Sequence, residues 1–178
     1  RISGSPVIDA DGTVYIASRN GTLYALNPED GSESWTYETG LQIDSTPAIA
    51  EDGTIHIASF AGIVALDPAD GTELWSYDPV GLSFSAGLAV ASDGTVFAGD
   101  LDTFYAIADD GTLKWSFEGA SSSDGFSDSA PAIDDSGTVY VGSRGANTVY
   151  ALVGESGGPA NSPWPMFGQN LRNTRRQP

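Results

Sequence analysis

One short phrase returns three times along the chain at a constant interval. It reads DGSESWTYETG, then DGTELWSYDPVG, then DGTLKWSFEGA, and it sets Trp35, Trp75 and Trp115 forty residues apart. Two further sets keep nearly the same period, the turn glycines Gly12, Gly53, Gly94 and Gly137 and the alanines Ala25, Ala65, Ala106 and Ala151. Periods of this length indicate one small structural unit stacked on its own copies. The chain is therefore interpreted as four such units.

Each unit reads as four short strands separated by turns. In the first unit the strands are SPVI, TVYIAS, TLYAL and ESWTYE, and they alternate or are rich in β-branched and aromatic residues. The turns carry Asp-Gly or Asn-Pro…Gly, in which Pro presets φ and Gly accepts a positive φ. No window keeps helical periodicity over the length that a helix needs. The pattern predicts an all-β fold, a β-propeller with four-stranded antiparallel blades.

The repeat divides the chain into four predicted blades within a single domain, 1–178. Their predicted boundaries are 3–41, 42–82, 83–122 and 123–168, followed by a basic C-terminal tail, 169–178. A lone four-stranded sheet cannot bury both of its faces, so we expect the blades to pack face to face. The Trp of each outermost strand is expected to cover the junction with the next blade. We align Trp164 with the outer-strand Trp of the fourth unit, after an insertion.

The unit DGTVYIAS…GTLYALNPEDGSESW resembles the PQQ-like (pyrroloquinoline-quinone-like) repeat of quinoprotein β-propellers. The shared features are the G-T-[VIL]-Y strands, the A-L-[DN] step, the D-G turn and the outer-strand Trp. The resemblance implies that Trp35, Trp75 and Trp115 belong to a docking motif between blades. The segment SPWPMFGQNLRNTRR is also similar to one found at the end of such propellers. The resemblance further implies rings of seven or eight blades.

Four units leave the architecture of the ring open. They could close as a four-bladed ring, form half of an eight-bladed ring, or belong to a longer chain. An open half-ring would expose two apolar blade faces, which favours self-association. The first residue is Arg1 rather than Met, so we also expect a piece trimmed from a longer precursor.

The charge balance restricts the kind of partner. Asp and Glu number 24 against 7 Lys and Arg, a formal net charge of −17. Such a surface repels nucleic acid and anionic lipid, whose phosphates require Lys and Arg. No apolar run approaches the ~20 residues needed to span a bilayer. The expected partner is a protein or another cell-surface component, met outside the cytoplasm (periplasm, cell surface or medium).

The resemblance raises a quinone-dependent dehydrogenase as an alternative, and the residues argue against it. For a catalytic member of that family, the resemblance implies eight blades, a quinone bound with calcium, and a disulfide between neighbouring Cys residues. This chain has no Cys, and no matching Glu, Asn and Asp set can be carried over. We predict no catalytic residues, no cofactor and no PQQ. Calcium stays open, because the pairs Asp9/Asp11 and Asp100/Asp102 have the i, i+2 spacing that calcium loops use.

His56 is the only His in the chain. It alternates with Ile55 and Ile57 in a predicted strand, where the other units have Tyr15, Phe97 and Tyr140. The pattern favours a structural, aromatic-like position on a blade face rather than a catalytic base.

Loops between strands are where propellers bind partners. The turns between the second and third strands differ most among the units, and their candidate contact residues are Arg19, Asn20, Phe60, Arg144 and Asn147. We therefore predict a non-catalytic binding or scaffolding propeller. Two alternatives remain, a fragment of a quinoprotein dehydrogenase and a structural subunit of a surface assembly.

Overall fold

The computed structural model describes residues 1–78, 84–119, 125–126, 129–153, 156–162 and 164–166. These residues form four antiparallel sheets, which confirms the all-β propeller architecture. Blade 1 consists of β1 (Val7–Ile8), β2 (Val14–Ala17), β3 (Thr22–Leu26) and β4 (Glu33–Glu38); blade 2 of β5 (Ala48–Ile49), β6 (Ile55–Ser59), β7 (Gly62–Leu66) and β8 (Glu73–Tyr77). Blade 3 consists of β9 (Ala89–Val90), β10 (Val96–Gly99), β11 (Thr103–Ile107) and β12 (Leu113–Glu118); blade 4 of β13 (Ala132–Ile133), β14 (Thr138–Ser143) and β15 (Thr148–Val153).

Within each blade the strands pair in chain order, from the innermost to the outermost. The hairpin between the first and second strands of each blade combines a carboxylate acceptor for the Thr amide with a glycine of positive φ. In blade 2 the Thr54 amide donates to Asp52 Oδ1 at 2.9 Å, and Gly53 has a φ of +93°. A side-chain acceptor and a positive φ are the two requirements of such a tight turn. The local sequence therefore sets strand length and register before any blade packs on another.

Stacked blades bury the apolar faces of their neighbours. We call the face of a blade that meets the following blade its front face, and the opposite one its back face. Tyr15 and Ala25 on the front face of blade 1 share one core cluster with Ile55 and Ile57 on the back face of blade 2. Equivalent clusters join blade 2 to blade 3 and blade 3 to blade 4. Every residue of β6, β7 and β10 is buried.

Trp35 shows how two blades are joined. It pairs across the strands with Ala25, and its ring centroid lies 5.7 Å from that of Tyr15. Its Nε1 donates to the Pro68 carbonyl of blade 2 at 3.0 Å. A Cβ added to Gly71, also in blade 2, would lie 2.8 Å from Trp35 Cδ2. The indole is thus held between a small Ala of its own blade and a Gly of the next.

The other two repeat tryptophans have equivalent neighbours within their own blades. Trp75 pairs with Ala65 and lies 5.5 Å, between ring centroids, from His56. Trp115 pairs with Ala106 and lies 5.8 Å from Phe97. Trp75 and Trp115 also pack against the core clusters that join their blades to the next; a docking role for the three tryptophans stays a prediction.

Trp164 lies elsewhere, and its alignment with an outer strand is wrong. Its carbonyl accepts a hydrogen bond from the Ile49 amide at 2.8 Å, on the innermost strand of blade 2. The Val90 amide of blade 3 donates to Pro165 in the same way, at 2.8 Å. Innermost strands have an unpaired edge, and residues 156–162 and 164–166 lie along this edge of blades 2 and 3 and satisfy it. Among the described residues, blade 4 has three strands instead of the predicted four.

The arc is open at both ends. Val149 and Val153 on the front face of blade 4 are 70% and 88% exposed, and Tyr140 beside them is 41% exposed. Ile8 on the back face of blade 1 is 40% exposed. The corresponding faces of blades 2 and 3 are buried by neighbouring blades. The front face of blade 4 has no following blade among the described residues, and the back face of blade 1 has no preceding one. In the parts of the chain that are described, no helix has the length and apolarity to cross a bilayer.

Candidate functional site

The predicted contact residues share one surface, which we call the connection face. It holds the turns between second and third strands together with the segments that join successive blades. The Phe60 amide donates to the Gln42 carbonyl at 3.0 Å, and the Gly119 amide donates to the Asp102 carbonyl at 3.0 Å. Each of these bonds ties such a turn to a joining segment. The backbone of this face is therefore fixed while its side chains vary from blade to blade.

Arg19 is held by its own chain. Its Nε lies 2.8 Å from Asp44 Oδ1, and its Nη2 donates to Asp44 Oδ2 at 3.1 Å. Burial acts to raise the pKa of Asp44, but hydrogen bonds from Ser3 and Gln42, together with the nearby guanidinium of Arg19, lower it overall. A two-pronged pair of this kind is rigid and specific. Arg19 thus links blade 1 to the segment entering blade 2, and a contact role for it stays a proposal.

Asn20 and Phe60 differ in whether their side chains could contact a partner. Asn20 Oδ1 accepts from the Thr22 amide at 3.3 Å, within its own turn. Phe60 is 37% exposed, and its ring is one of the larger apolar groups on the connection face. Phe60 therefore offers an apolar contact, whereas Asn20 shapes the turn.

Arg144 and Asn147 border a groove at the end of the arc. The groove has a volume of about 320 Å³ and also contacts Ser129, Thr148 and Val149. Asn147 has a φ of +50°, a left-handed conformation that Asn tolerates better than most residues. Val149 belongs to the open front face of blade 4, so the groove is continuous with exposed apolar surface. This is the part of the connection face best shaped to receive a partner.

The two candidate calcium pairs are engaged in turn structure. Asp9 Oδ1 accepts from the amides of Asp11 and Thr13 at 3.0 and 2.9 Å, and Asp102 Oδ1 accepts from Thr103 Oγ1 at 3.2 Å. Asp100 is 3% exposed. No group of three or more His, Asp or Glu side chains suited to a metal ion occurs in the described ranges. Calcium binding stays a prediction, which a calcium titration would test.

A second cavity lies on the opposite surface, the turn face, which holds the Asp-Gly hairpins and the turns between third and fourth strands. This cavity, between blades 2 and 3, has a volume of about 460 Å³. Four carboxylates line it, those of Glu51, Asp52, Asp93 and Asp109, together with His56 and Trp75. Sequence reasoning missed it, because the acids occupy ordinary turn positions in two different units. The only feature of the sequence that pointed to this cavity was His56, which stands where the other units have Tyr or Phe.

His56 is buried at the wall of this cavity, with 2% of its surface exposed. Burial lowers the pKa of His56 to about 4, although the nearby charge of Asp52 acts in the opposite direction. The imidazole is thus neutral at neutral pH. Its Nδ1 has no hydrogen-bond partner, which is costly for a buried polar atom.

This burial predicts that the protein loses stability as the pH falls from 7 to 5. The unfolded His titrates near 6.5 and the native one near 4, so in this window only the unfolded state takes up the proton. Stability then falls with decreasing pH, by about 2 kcal/mol between pH 7 and 5. Urea unfolding at several pH values would measure it. His56→Phe, which has the residue that blade 3 carries at this position, should remove the slope; an unchanged slope would contradict the assignment.

Comparison with known proteins gives the class of protein and then its relatives. The profile of the family described as outer membrane protein assembly factor BamB matches residues 1–81 and 59–160. The chain belongs to this family of PQQ-like repeat β-propellers. A stretch of 55 residues, 30% of the chain, is 40% identical to Protein Rv3035 of Mycobacterium tuberculosis (strain ATCC 25618 / H37Rv) and covers 13% of that protein.

Solved structures show the same fold at low sequence identity. BamB from Moraxella catarrhalis is 23% identical with a TM-score of 0.69, over 89% of this chain and 47% of that one. Quinohemoprotein alcohol dehydrogenase from Comamonas testosteroni is 18% identical with a TM-score of 0.72, over 93% of this chain and 35% of that one. The chain thus spans less than half the length of either, and the likeness shows the fold.

Proposed function

We propose that this chain is a non-catalytic binding or scaffolding propeller that meets protein partners outside the cytoplasm. The observation that carries the proposal is the groove beside Arg144 and Asn147 on the connection face. It combines a cation, amide groups and an adjoining apolar surface on a fixed backbone. Membership of a family described as an outer membrane assembly factor supports both the protein partner and the location.

The shape of the groove suits a polypeptide better than a small metabolite. It is shallow and opens along the edge of blade 4, where Thr148 and Val149 are exposed. Interfaces typically combine an apolar centre with a polar rim in which Arg is enriched. Here the apolar centre would be Val149 and the rim would be Arg144 and Asn147.

Site-specific photocrosslinking tests the proposal. A benzophenone amino acid is placed at Asn147 in the groove and, as the control, at Glu29, which is exposed on the turn face. In the envelope fraction of the source cells we expect discrete covalent adducts from position 147 and none from position 29. Adding Arg144→Ala should lower the adduct yield about tenfold, the effect of losing one charged hydrogen bond. Equal labelling from both positions would contradict a binding role for this groove.

A dehydrogenase-like activity is the second candidate, because the quinohemoprotein alcohol dehydrogenase shares the fold over 93% of this chain. Quinone absorbance after incubation with pyrroloquinoline quinone and calcium, followed by desalting, would decide between the two. Our proposal expects no retained chromophore. A stoichiometric bound quinone would favour the enzyme.

A further inference from the structure

At the cavity between blades 2 and 3, blade 2 carries residues that differ from those of blades 1 and 4. In blade 1 the Tyr15 hydroxyl donates to Asp9 Oδ2 at 2.9 Å, and in blade 4 the Tyr140 hydroxyl donates to Asp134 Oδ2 at 3.1 Å. The strand register makes Ala48–His56 the equivalent of Val7–Tyr15. Ala50 therefore takes the place of Asp9, and His56 the place of Tyr15.

This double change removes volume and leaves a polar atom behind. Ala50 lacks the carboxylate that would accept a hydrogen bond, and imidazole is shorter than phenol. The wall at this point is formed by Ala50 and His56, and both line the cavity. A neutral imidazole carries one N–H and one acceptor nitrogen, so the unpartnered Nδ1 lacks a group that blades 1 and 4 provide internally.

The electrostatics of the cavity select for positive charge. Among the lining residues are Glu51, Asp52, Asp93 and Asp109, and no Lys or Arg. Lys114 pairs with Asp93 from outside the lining, at 3.0 Å. Three carboxylates thus remain without a described ion pair.

The remaining lining features suit an organic cation rather than a bare metal ion. The described acids form no metal-binding cluster, so they are too dispersed to coordinate one ion. Trp75 lines the same cavity and gives it an apolar wall for the hydrocarbon part of such a ligand. The volume is in the range typical of small-ligand sites.

We propose that this cavity binds an organic cation, an alkylammonium or guanidinium group, with His56 and Asp52 as its polar contacts and Trp75 as its aromatic wall. The site lies on the turn face, away from the groove of the connection face. Its failure would leave the proposed function untouched.

The test uses the ring resonances of His56, which report on one site because the chain has a single His. Agmatine, n-butylamine and the neutral n-butanol are titrated into the whole chain at pH 7 and low salt, with calorimetry in parallel. We expect agmatine and n-butylamine to shift the His56 resonances and n-butanol to leave them unchanged. A capped Ala-Arg-Ala peptide separates the sources: binding as tight as that of agmatine indicates a protein side chain, and weaker binding indicates a free amine.

Two variants of blade 2 introduce residues that other blades carry at the equivalent positions. Ala50→Asp with His56→Tyr restores the pair of blade 1 and fills the cavity, and His56→Phe copies blade 3. Each should weaken agmatine binding at least about tenfold, the loss expected for hydrogen bonds to a charged group. Thermal unfolding confirms that both variants fold.

Asp52→Asn is compared with Asp11→Asn, its equivalent in blade 1 outside the cavity. The first should weaken binding several-fold and the second should not. The proposal is overturned if neither cation shifts the His56 resonances at tens of millimolar. It is also overturned if the filled variant binds agmatine as tightly as the natural sequence.

Discussion

Replacing Gly71 by Ala is expected to lower the free energy of unfolding by about 2–5 kcal/mol. Two costs add up. Gly71 has a φ of +75°, where an L-residue costs about 1–2 kcal/mol, and the new methyl group would overlap the Trp35 ring. Overpacking of a rigid contact costs about 1–3 kcal/mol. Urea unfolding followed by Trp fluorescence would measure the change.

Gly31 provides a matched control for this experiment. It occupies the equivalent turn of blade 1, with a φ of +72°, and an added Cβ there meets nothing within 4 Å. Gly31→Ala should therefore show only the cost of the backbone conformation. If the two variants lose the same stability, the contact between Trp35 and the next blade contributes nothing, and the proposed docking role of the tryptophans is wrong.

The second large effect concerns the open ends of the arc. We propose that, when no partner occupies it, the front face of blade 4 packs on the back face of blade 1 in another copy of the chain. The proposal rests on repetition, since Val149 occupies the position that Leu23 fills at the junction of blades 1 and 2. Both terminal faces carry apolar side chains, and Leu23, the internal equivalent of Val149, is fully buried. Sedimentation analysis of the 178-residue chain should show a species of at least twice the 18.4 kDa chain mass.

Val149→Glu should shift this equilibrium towards the monomer by at least about a hundredfold, because it would bury an unpaired charge in the new junction. Leu101→Glu is the control, since Leu101 is 58% exposed but lies in a turn of blade 3 rather than on a terminal face. This control should associate like the natural sequence. A natural chain that sediments only at 18.4 kDa would contradict the proposal.

Much of the fold was predictable because its signals are local and repeated. Each Asp-Gly turn needs one hydrogen-bond acceptor and one residue with a positive φ. Each strand is indicated by its alternating apolar residues. The sequence showed Ala and Trp recurring at nearly the same interval, and the structure pairs them across the strands, as with Ala25 and Trp35. Repetition then made each weak signal stronger, because three blades carry the same pattern.

The candidate sites were less predictable because they depend on residues from different units. Arg19 looked like a free cation, and only the fold shows Asp44 at its guanidinium. The acidic cavity combines Asp52 of one hairpin with Asp93 of the next. The prediction for Trp164 failed for a related reason. The position of a Trp in the sequence does not show whether its backbone pairs with an outermost or an innermost strand.

The amino-acid sequence by itself determined the blade, because the turns, the strand alternation and the Ala–Trp pairs are set by neighbours within about forty residues. Tertiary structure alone decided where residues 156–162 and 164–166 pair, the open terminal faces and the cavity at His56. Those features depend on unpaired strand edges and on space left between blades. Neither is encoded within any single repeat.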